Sequence, residues 1–334
     1  MKRQSLLIIL SVLFAGSIIS IWAGSTINIP GTVAELQERA DAGDAEAIFR
    51  LATMYEVGYD SIPPDSILSL QLYRKSAEAG YAPAMNFLGY RLILESDSAN
   101  QNIDEGLRWL KQAAEQGDLK ASSNMGWLYL DGKYIPQNYT EGAKWIGIAA
   151  EGGLPVAQSI LGDLYKEGLG VDKNIAAADS LYRAAFEKGL SDAGYKLFEL
   201  NSSDYATFSA DSLVNEGRYY YLKSAPSAGV KLFYMAADKG SPEAYALLGD
   251  AYTRAVGVPY DYNLSLQYYI KAALAGNPSA QFIIGELLEI FPDALNSYKV
   301  GEDSNVSNPL YWFEQAASQG VTDADTAMQL LLNP

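Results

Sequence analysis

Three acidic residues, Asp163, Asp250 and Glu286, each stand directly after a glycine in a pattern that recurs along the chain. Acid–base cleavage of a glycosidic bond needs two carboxyl groups at a defined separation and in different environments. If each recurrence is one packed helical unit, neighbouring units lie roughly 10 Å apart. Only Asp250 and Glu286, which are one recurrence apart, could then work as a pair. These acids are therefore compatible with a carboxylate-dependent glycan hydrolase as one possible function.

Other residue types that carry enzyme chemistry are missing. The 334-residue chain contains no histidine and no cysteine, which excludes Ser-His and Cys-His nucleophiles, disulfides and the usual zinc sites. The stretch from 303 to 314 spaces oxygen donors like a calcium loop, but Asn308 stands where that loop needs glycine, and Pro309 follows it. The favoured prediction is a chain with no catalytic residues, no cofactor and no metal.

Composition and charge restrict the class of partner. A chain with 49% hydrophobic and 19% charged residues is typical of an ordered protein. The formal net charge is −16, whereas binding to a phosphate backbone needs basic surface, so the sequence predicts no nucleic-acid partner. An acidic surface most often serves solubility, and binding of cationic partners is the functional alternative.

The N-terminus has the features of an export segment. Lys2 and Arg3 precede an uncharged apolar run from Leu6 to Ala23, so residues 1–23 are predicted to be a signal peptide, with an uncleaved membrane anchor as the alternative. The rest of the chain is then expected to be periplasmic or secreted. Membrane contact is expected only through residues 6–23, if these are retained.

A repeat of small residues accounts for most of the remaining chain. Glycines recur at intervals of mostly 36 or 37 residues, with two longer intervals of 51 and 44 residues. An alanine follows each glycine by four positions, then come a large apolar residue, a small residue and often a tyrosine, which is helical spacing. The glycines are Gly43, Gly80, Gly117, Gly153, Gly189, Gly240, Gly276 and Gly320. A period of this length with helical patterning predicts paired helices.

The small residues predict where helices touch. A second helix follows each first one and carries a large column at positions such as Trp109 and Trp145, with small residues such as Gly106 and Gly142 three positions earlier. Helices approach closely only where side chains are small. Glycine within a helix costs about 1 kcal/mol relative to alanine, so close approach of the backbones is the expected reason for these glycines.

At this point the sequence resembles the Sel-1-like repeat family, a relative of tetratricopeptide repeats. The fourth unit carries the family pattern in Ala157, Leu161-Gly162, Tyr165, Gly170-Val171 and Gly189. The resemblance implies an all-α, right-handed α-solenoid of stacked helix-turn-helix repeats over residues 34–334, with units starting near 43, 80, 117, 153, 189, 240 and 276. It also implies a scaffold without enzymatic activity.

Two segments depart from the pattern. The fifth unit begins at Gly189 and is interrupted by an insert at 201–225, and the seventh unit is interrupted by an insert at 290–308. The tyrosine run from Tyr219 to Tyr221 lies in the first insert, and we expect it to form buried helix surface rather than a docking patch.

The resemblance also places candidate binding residues. In the related tetratricopeptide fold the first helix of each pair lines the inner curve, and the matching positions here form two rows that could hold an extended peptide or a glycan. The alternative is that Tyr90 and Trp127 pack between neighbouring repeats. The rows comprise Phe49, Thr53, Asn86, Tyr90, Ser123, Trp127, Ser159, Asp163, Asp250, Phe282 and Glu286.

The predicted function is a non-enzymatic, exported scaffold or adaptor that binds a protein, or a glycan, on its inner curve and helps to assemble a cell-envelope complex. The glycan hydrolase is one alternative. A secreted factor that acts on a host or neighbouring cell is another, and it differs from the scaffold only in where the protein ends up.

Overall fold

The computed structural model describes residues 33–59, 63–95, 100–296, 298 and 304–332. The predicted export segment at residues 1–23 lies outside the described residues, as do positions 297 and 299–303 of the second predicted insert. The chain divides into two compact units, residues 1–181 and 182–334.

The described part of the first unit consists of helices joined by short turns. Its helices are α1 (Val33–Asp41), α2 (Ala45–Val57), α3 (Ser66–Glu78), α4 (Ala82–Leu94), α5 (Asn100–Glu115), α6 (Leu119–Asp131), α7 (Tyr139–Glu151) and α8 (Pro155–Glu167). Helices α2 and α3, α4 and α5, and α6 and α7 pack as hairpins, and each hairpin also packs on the next. Helix α9 (Ile175–Glu187) contains the boundary between the two units.

The second unit is built in the same way. Its helices are α10 (Ser191–Leu200), α11 (Ser202–Tyr205), α12 (Ala210–Leu222), α13 (Pro226–Asp238), α14 (Pro242–Arg254), α15 (Tyr262–Leu274), α16 (Pro278–Ile290), α17 (Pro309–Ser318) and α18 (Thr322–Leu332), with a 3₁₀ turn at Ser304–Ser307. The hairpins are α12 with α13, α14 with α15, and α16 with α17. The prediction of an all-α solenoid of helix-turn-helix repeats is therefore confirmed.

Local sequence explains where the helices begin and turn. The Asp44 carboxylate accepts hydrogen bonds from the backbone N–H groups of Glu46 and Ala47 and so caps α2. Several other first helices begin with a proline, whose missing N–H costs nothing in the first turn. All eight predicted turn glycines have φ between 82 and 93°. A Cβ at Gly80 would meet no atom within 4 Å, so these turns need glycine for its backbone conformation.

Glycines inside the helices have a different role, which is close packing. A Cβ added at Gly89 in α4 would lie 2.6 Å from the carbonyl oxygen of Gly106 in α5, and one added at Gly106 would lie 2.5 Å from that of Gly89. The two backbones are therefore in contact, as the sequence predicts. At Gly285 the neighbour is instead the ring of Phe313, 2.6 Å from an added Cβ, so a second-helix aromatic ring rests on the first-helix backbone.

The structure corrects the prediction for the fifth unit. Residues 201–225 are not a simple interruption, because α12 lies within them and pairs with α13 as the first helix of a hairpin. Gly217 lies against Gly229, just as Gly89 lies against Gly106, and a Cβ at Gly229 would lie 2.5 Å from the carbonyl oxygen of Gly217. The extra elements of this region are α10 and the short α11. In the tyrosine run, Tyr220 is fully buried, as predicted, whereas Tyr219 and Tyr221 are half-buried.

None of the helices in the described residues is both long enough and apolar enough to cross a membrane.

Candidate partner-binding faces

The first helices α2, α4, α6 and α8 carry eight of the predicted binding residues, and we call their shared surface the first-unit face. Phe49 and Asn86 are half-buried on it. The other six residues are buried: Thr53, Tyr90, Ser123, Trp127, Ser159 and Asp163. Binding by these six residues would therefore involve only the small part of each side chain that stays exposed.

Two side-chain contacts join α4 to α6 across the first-unit face. The amide Nδ2 of Asn124 donates a hydrogen bond to Oδ1 of Asn86 at 2.8 Å. The ring of Tyr90 meets that of Trp127 edge to face, with centroids 6.2 Å apart, and burial raises the pKa of Tyr90 to about 12. The two rings therefore pack between neighbouring repeats, and their use in binding a partner stays a prediction.

A charged network joins α2 to α4 near the helix ends. The Arg91 guanidinium donates to both carboxylate oxygens of Glu56, at 2.9 and 3.1 Å, and also to Glu95 at 2.8 Å. The hydroxyl of Ser69 in α3 donates to Glu56 as well. Since Arg91 is only 18% exposed, this network orders the helix ends and offers carboxylate oxygens at the edge of the first-unit face.

One polar group on the first-unit face has no partner. The Ser123 hydroxyl oxygen is buried and makes no hydrogen bond within the described residues. An unpaired buried hydroxyl costs about 1–3 kcal/mol.

The first helices of the second unit, α12, α14 and α16, form a second surface, which we call the second-unit face. Asp250 and Glu286 lie on it, one on α14 and one on α16, and Glu286 is exposed. The Asp250 carboxylate forms an ion pair with Nε of Arg254 at 2.8 Å. Phe282 packs on Phe313 with ring centroids 5.7 Å apart, so that residue contributes mainly to the core.

Sequence reasoning missed one residue of the second-unit face. Because α12 is a first helix, Arg218, which directly follows Gly217, occupies the same position as Asp250 and Glu286. Arg218 forms an ion pair with Glu243 of α14, and Glu243 also accepts a hydrogen bond from the Asn277 side chain at 2.9 Å. The signal was present in the sequence as a glycine followed three residues later by Tyr220, the spacing of the other first helices.

The second-unit face therefore carries one charged residue per first helix, in the order Arg218, Asp250, Glu286. Burial, and after it the negative charge of Asp250, raise the pKa of Tyr221 and that of Tyr269. Both phenols accordingly stay neutral near Asp250. Within the described residues, no group of three or more acidic side chains is placed to hold a metal ion.

Comparison with known proteins agrees with the repeat. The Sel1 repeat model matches residues 45–81, 82–118, 119–154, 155–190, 215–241, 242–277 and 310–321. The match at 215–241 begins within α12, in agreement with the corrected fifth hairpin. Sel1 repeat proteins generally are non-catalytic scaffolds that bind protein partners.

Three individual proteins illustrate the similarity. Chitin synthase regulatory factor 4 of Schizosaccharomyces pombe is 23% identical over 306 residues, which are 90% of this chain and 46% of that protein. An uncharacterized protein of Neisseria meningitidis serogroup B is 30% identical over 86% of this chain and 54% of its own length. This chain thus spans about half the length of these two relatives.

A crystal structure is also similar, that of a protective antigen of uropathogenic Escherichia coli with an SLR fold. It is 23% identical, and the match covers 90% of this chain and 67% of the antigen with a TM-score of 0.46. The seven matched Sel1 repeats cover more than half of the present sequence. The chain therefore belongs to the Sel1 repeat family.

Proposed function

We propose that this protein is a non-enzymatic, exported adaptor that binds an extended polypeptide along its first helices and helps to assemble a cell-envelope complex. The observation that carries the proposal is the charged row of the second-unit face, Arg218, Asp250 and Glu286. It presents one charge per hairpin on positions that the core does not use.

The spacing and chemistry of this row suit a polypeptide. An extended segment in the polyproline II conformation has about three residues per turn and rises about 3.1 Å per residue. Side chains three residues apart then point to the same side, about 9 Å apart, and would meet successive hairpins at the roughly 10 Å spacing of packed helices. Charged groups arranged in this way select the register and sequence of a partner more than they add affinity. A partner with complementary charges, acidic opposite Arg218 and basic opposite Asp250 and Glu286, fits the row.

The contacts of Asp250 favour binding over hydrolysis. A glycosidase pairs two carboxyl groups across its substrate, whereas in this structure the group that faces Asp250 is the Arg254 guanidinium, at 2.8 Å. An exposed ion pair of this type is worth only about 0–1 kcal/mol. It can therefore exchange for a pair with a basic side chain of the partner.

Export is part of the same proposal. It is supported by Lys2 and Arg3 ahead of the apolar run from Leu6 to Ala23. Fractionation of cells that carry a C-terminally tagged full-length chain, followed by N-terminal sequencing, tests it. We expect the tagged protein in the periplasm or medium with its N-terminus near Gly24, and a cytoplasmic protein with an intact Met1 end would refute the export step.

Partner binding is tested by proximity labelling in the native host with the full-length chain. Asp250→Ala and Glu286→Ala should each remove the same small set of labelled envelope proteins. Asp238→Ala is the matched control, because this exposed acid lies in the same unit at the end of the second helix α13. Labelling that is unchanged in both face variants, or lost equally in the control, would refute binding through this row.

Trp127→Ala is a poor test of the same idea. The Trp127 ring is 7% exposed and packs on Tyr90, and truncating a buried tryptophan costs about 3–5 kcal/mol. Loss of labelling in that variant would report loss of folding, so the half-buried Asp250 and the exposed Glu286 are the better probes.

A further inference from the structure

An open pocket lies beside the extra helix α11 in the second unit. It has a volume of about 200 Å³ and is lined by Arg183, Asn201, Asp204, Tyr205, Phe208 and Glu216. Asp204 and Tyr205 belong to α11 and Phe208 follows it, so the extra helix and the residues after it supply half of the lining.

The aromatic wall of the pocket is held firmly in place. Tyr205 is 2% exposed, stacks on Phe198 with ring centroids 5.5 Å apart, and meets Phe208 edge to face at 5.4 Å. The hydroxyl groups of Tyr205 and Tyr220 are hydrogen-bonded at 2.9 Å. A wall fixed in this way loses little conformational freedom when a ligand binds.

The charges around the pocket favour a cationic guest. Two of the lining residues, Asp204 and Glu216, are acids. The single lining cation, Arg183, is electrostatically coupled to the Glu187 carboxylate and lowers its pKa, after the larger effects of Lys223 and Tyr219. The lining therefore carries one more negative than positive charge, and its acids lie beside aromatic rings, which attract cations.

Size then restricts the guest. Pockets for small molecules and cofactors usually measure about 300–1,000 Å³, so a volume of about 200 Å³ suits one long side chain. An arginine side chain matches the lining best, because its planar guanidinium can stack on a ring while its N–H groups form hydrogen bonds with carboxylates.

We propose that this pocket binds an arginine side chain of a polypeptide partner, stacked on the half-buried ring of Phe208 and paired with Asp204 and Glu216. The idea deepens the proposed adaptor function and rests on it for the existence of a polypeptide partner. The pocket itself does not depend on the charged row of the second-unit face.

The test uses the purified chain and two fluorescently labelled pentapeptides of sequence Gly-Gly-X-Gly-Gly with blocked ends. X is arginine in one peptide and citrulline in the other, which has nearly the same shape without the charge. Fluorescence anisotropy should show saturable binding of the arginine peptide. The citrulline peptide should bind at least about tenfold more weakly, because it loses two charge-assisted contacts.

Variants locate the binding site. Asp204→Asn and Glu216→Gln should each weaken the arginine peptide about threefold to tenfold, as loss of a partly exposed charge pair does. Asp211→Asn is the matched control, since this exposed acid lies in α12 and is not part of the lining. Circular dichroism should show the same helix content in all three variants.

Equal affinity for the two peptides, or no saturable binding of the arginine peptide, would overturn the proposal. So would an equal loss in Asp211→Asn, which would indicate attraction to the acidic surface in general. If the peptide assay fails while partner labelling still depends on Asp250 and Glu286, only the proposal for the pocket is overturned. If the pocket binds the arginine peptide while partner labelling does not depend on Asp250 and Glu286, the proposed role of the charged row is overturned.

Discussion

Substituting Gly89 by alanine tests whether backbone contact between paired helices holds the repeats together. The added Cβ would lie 2.6 Å from the carbonyl oxygen of Gly106 and 2.9 Å from the backbone nitrogen of Leu110. Real Cβ atoms essentially never come closer than 3.0 Å to such neighbours. Both of these neighbours are backbone atoms, so no side chain can rotate away, and α4 and α5 must move apart.

Two effects of opposite sign set the magnitude. Alanine is the better helix former and should stabilise α4 by about 1 kcal/mol. Overpacking typically costs about 1–3 kcal/mol and more where the backbone has to move. Because the obstruction is backbone, the second effect should win, and we expect a net loss of about 1–2 kcal/mol in the free energy of unfolding.

A glycine in the next hairpin provides the matched control. Gly147 lies within α7, but a Cβ added there would meet no atom within 4 Å. Gly147→Ala should therefore show the helix-forming effect alone and stabilise the protein by up to about 1 kcal/mol.

Urea unfolding followed by circular dichroism measures both changes. We expect the midpoint to fall for Gly89→Ala and to rise for Gly147→Ala. A rise in both variants would refute the reasoning, because it would mean that α4 and α5 tolerate a methyl group between their backbones. Gly106→Ala, which places a Cβ 2.5 Å from the Gly89 oxygen, should repeat the loss.

Three further changes should have measurable effects. Ala255 ends α14 with φ 55° where α6 and α8 end in glycine, so Ala255→Gly should raise the melting temperature, with a gain of about 0.5–1 kcal/mol. The hydrogen bond from Arg74 lowers the pKa of Glu105. The stability that this ion pair contributes is therefore complete above pH 4.5 and is lost as the pH falls through the lowered pKa of Glu105. Glu105→Gln should accordingly lose less stability between neutral pH and pH 3 than the parent chain, as measured by urea unfolding at each pH. Deleting residues 201–225 should reduce the helix content of the second unit by more than the deleted residues account for, because α13 loses its paired helix. A loss of helix content in proportion to the deleted residues would show instead that this segment is a peripheral insert.

The repeated elements were predictable from sequence because physics leaves them little freedom. A turn with φ near 90° needs glycine, as at Gly80, and a backbone contact such as that between Gly89 and Gly106 also needs glycine. The turn glycine recurs in every unit, and a small residue recurs at the helix contact, so both appear as columns in the sequence. Helix boundaries and hairpin pairing follow from them.

The fifth hairpin was harder to predict because it breaks the columns while keeping the fold. The first helix α12 has Glu216 where other units have a large apolar residue before the glycine. What fixes α12 in place is tertiary contact: Tyr220 is fully buried and is hydrogen-bonded to Tyr205, which the extra helix α11 supplies. A pattern search along one unit does not detect a residue whose partner lies in an added helix.

Exposure within the candidate binding row also depends on neighbours rather than on position. Tyr90 and Glu286 occupy the same place in their repeats, yet Tyr90 is 7% exposed and Glu286 is exposed. Tyr90 is covered by Trp127 from the next first helix. The sequence identifies the row, and only the packing of adjacent repeats shows which of its members are accessible.

In the second unit, the small residues at the helix contacts are separate from the charged row Arg218, Asp250 and Glu286. Alanine and glycine at the helix contacts carry the packing, while Arg218, Asp250 and Glu286 directly follow glycines and are left out of the core. Exposed substitutions away from packed features usually change stability by less than about 0.5 kcal/mol. Substitutions in the charged row should therefore cost little stability, whereas the matching positions of the first unit, Tyr90 and Trp127, pack between repeats and should cost more.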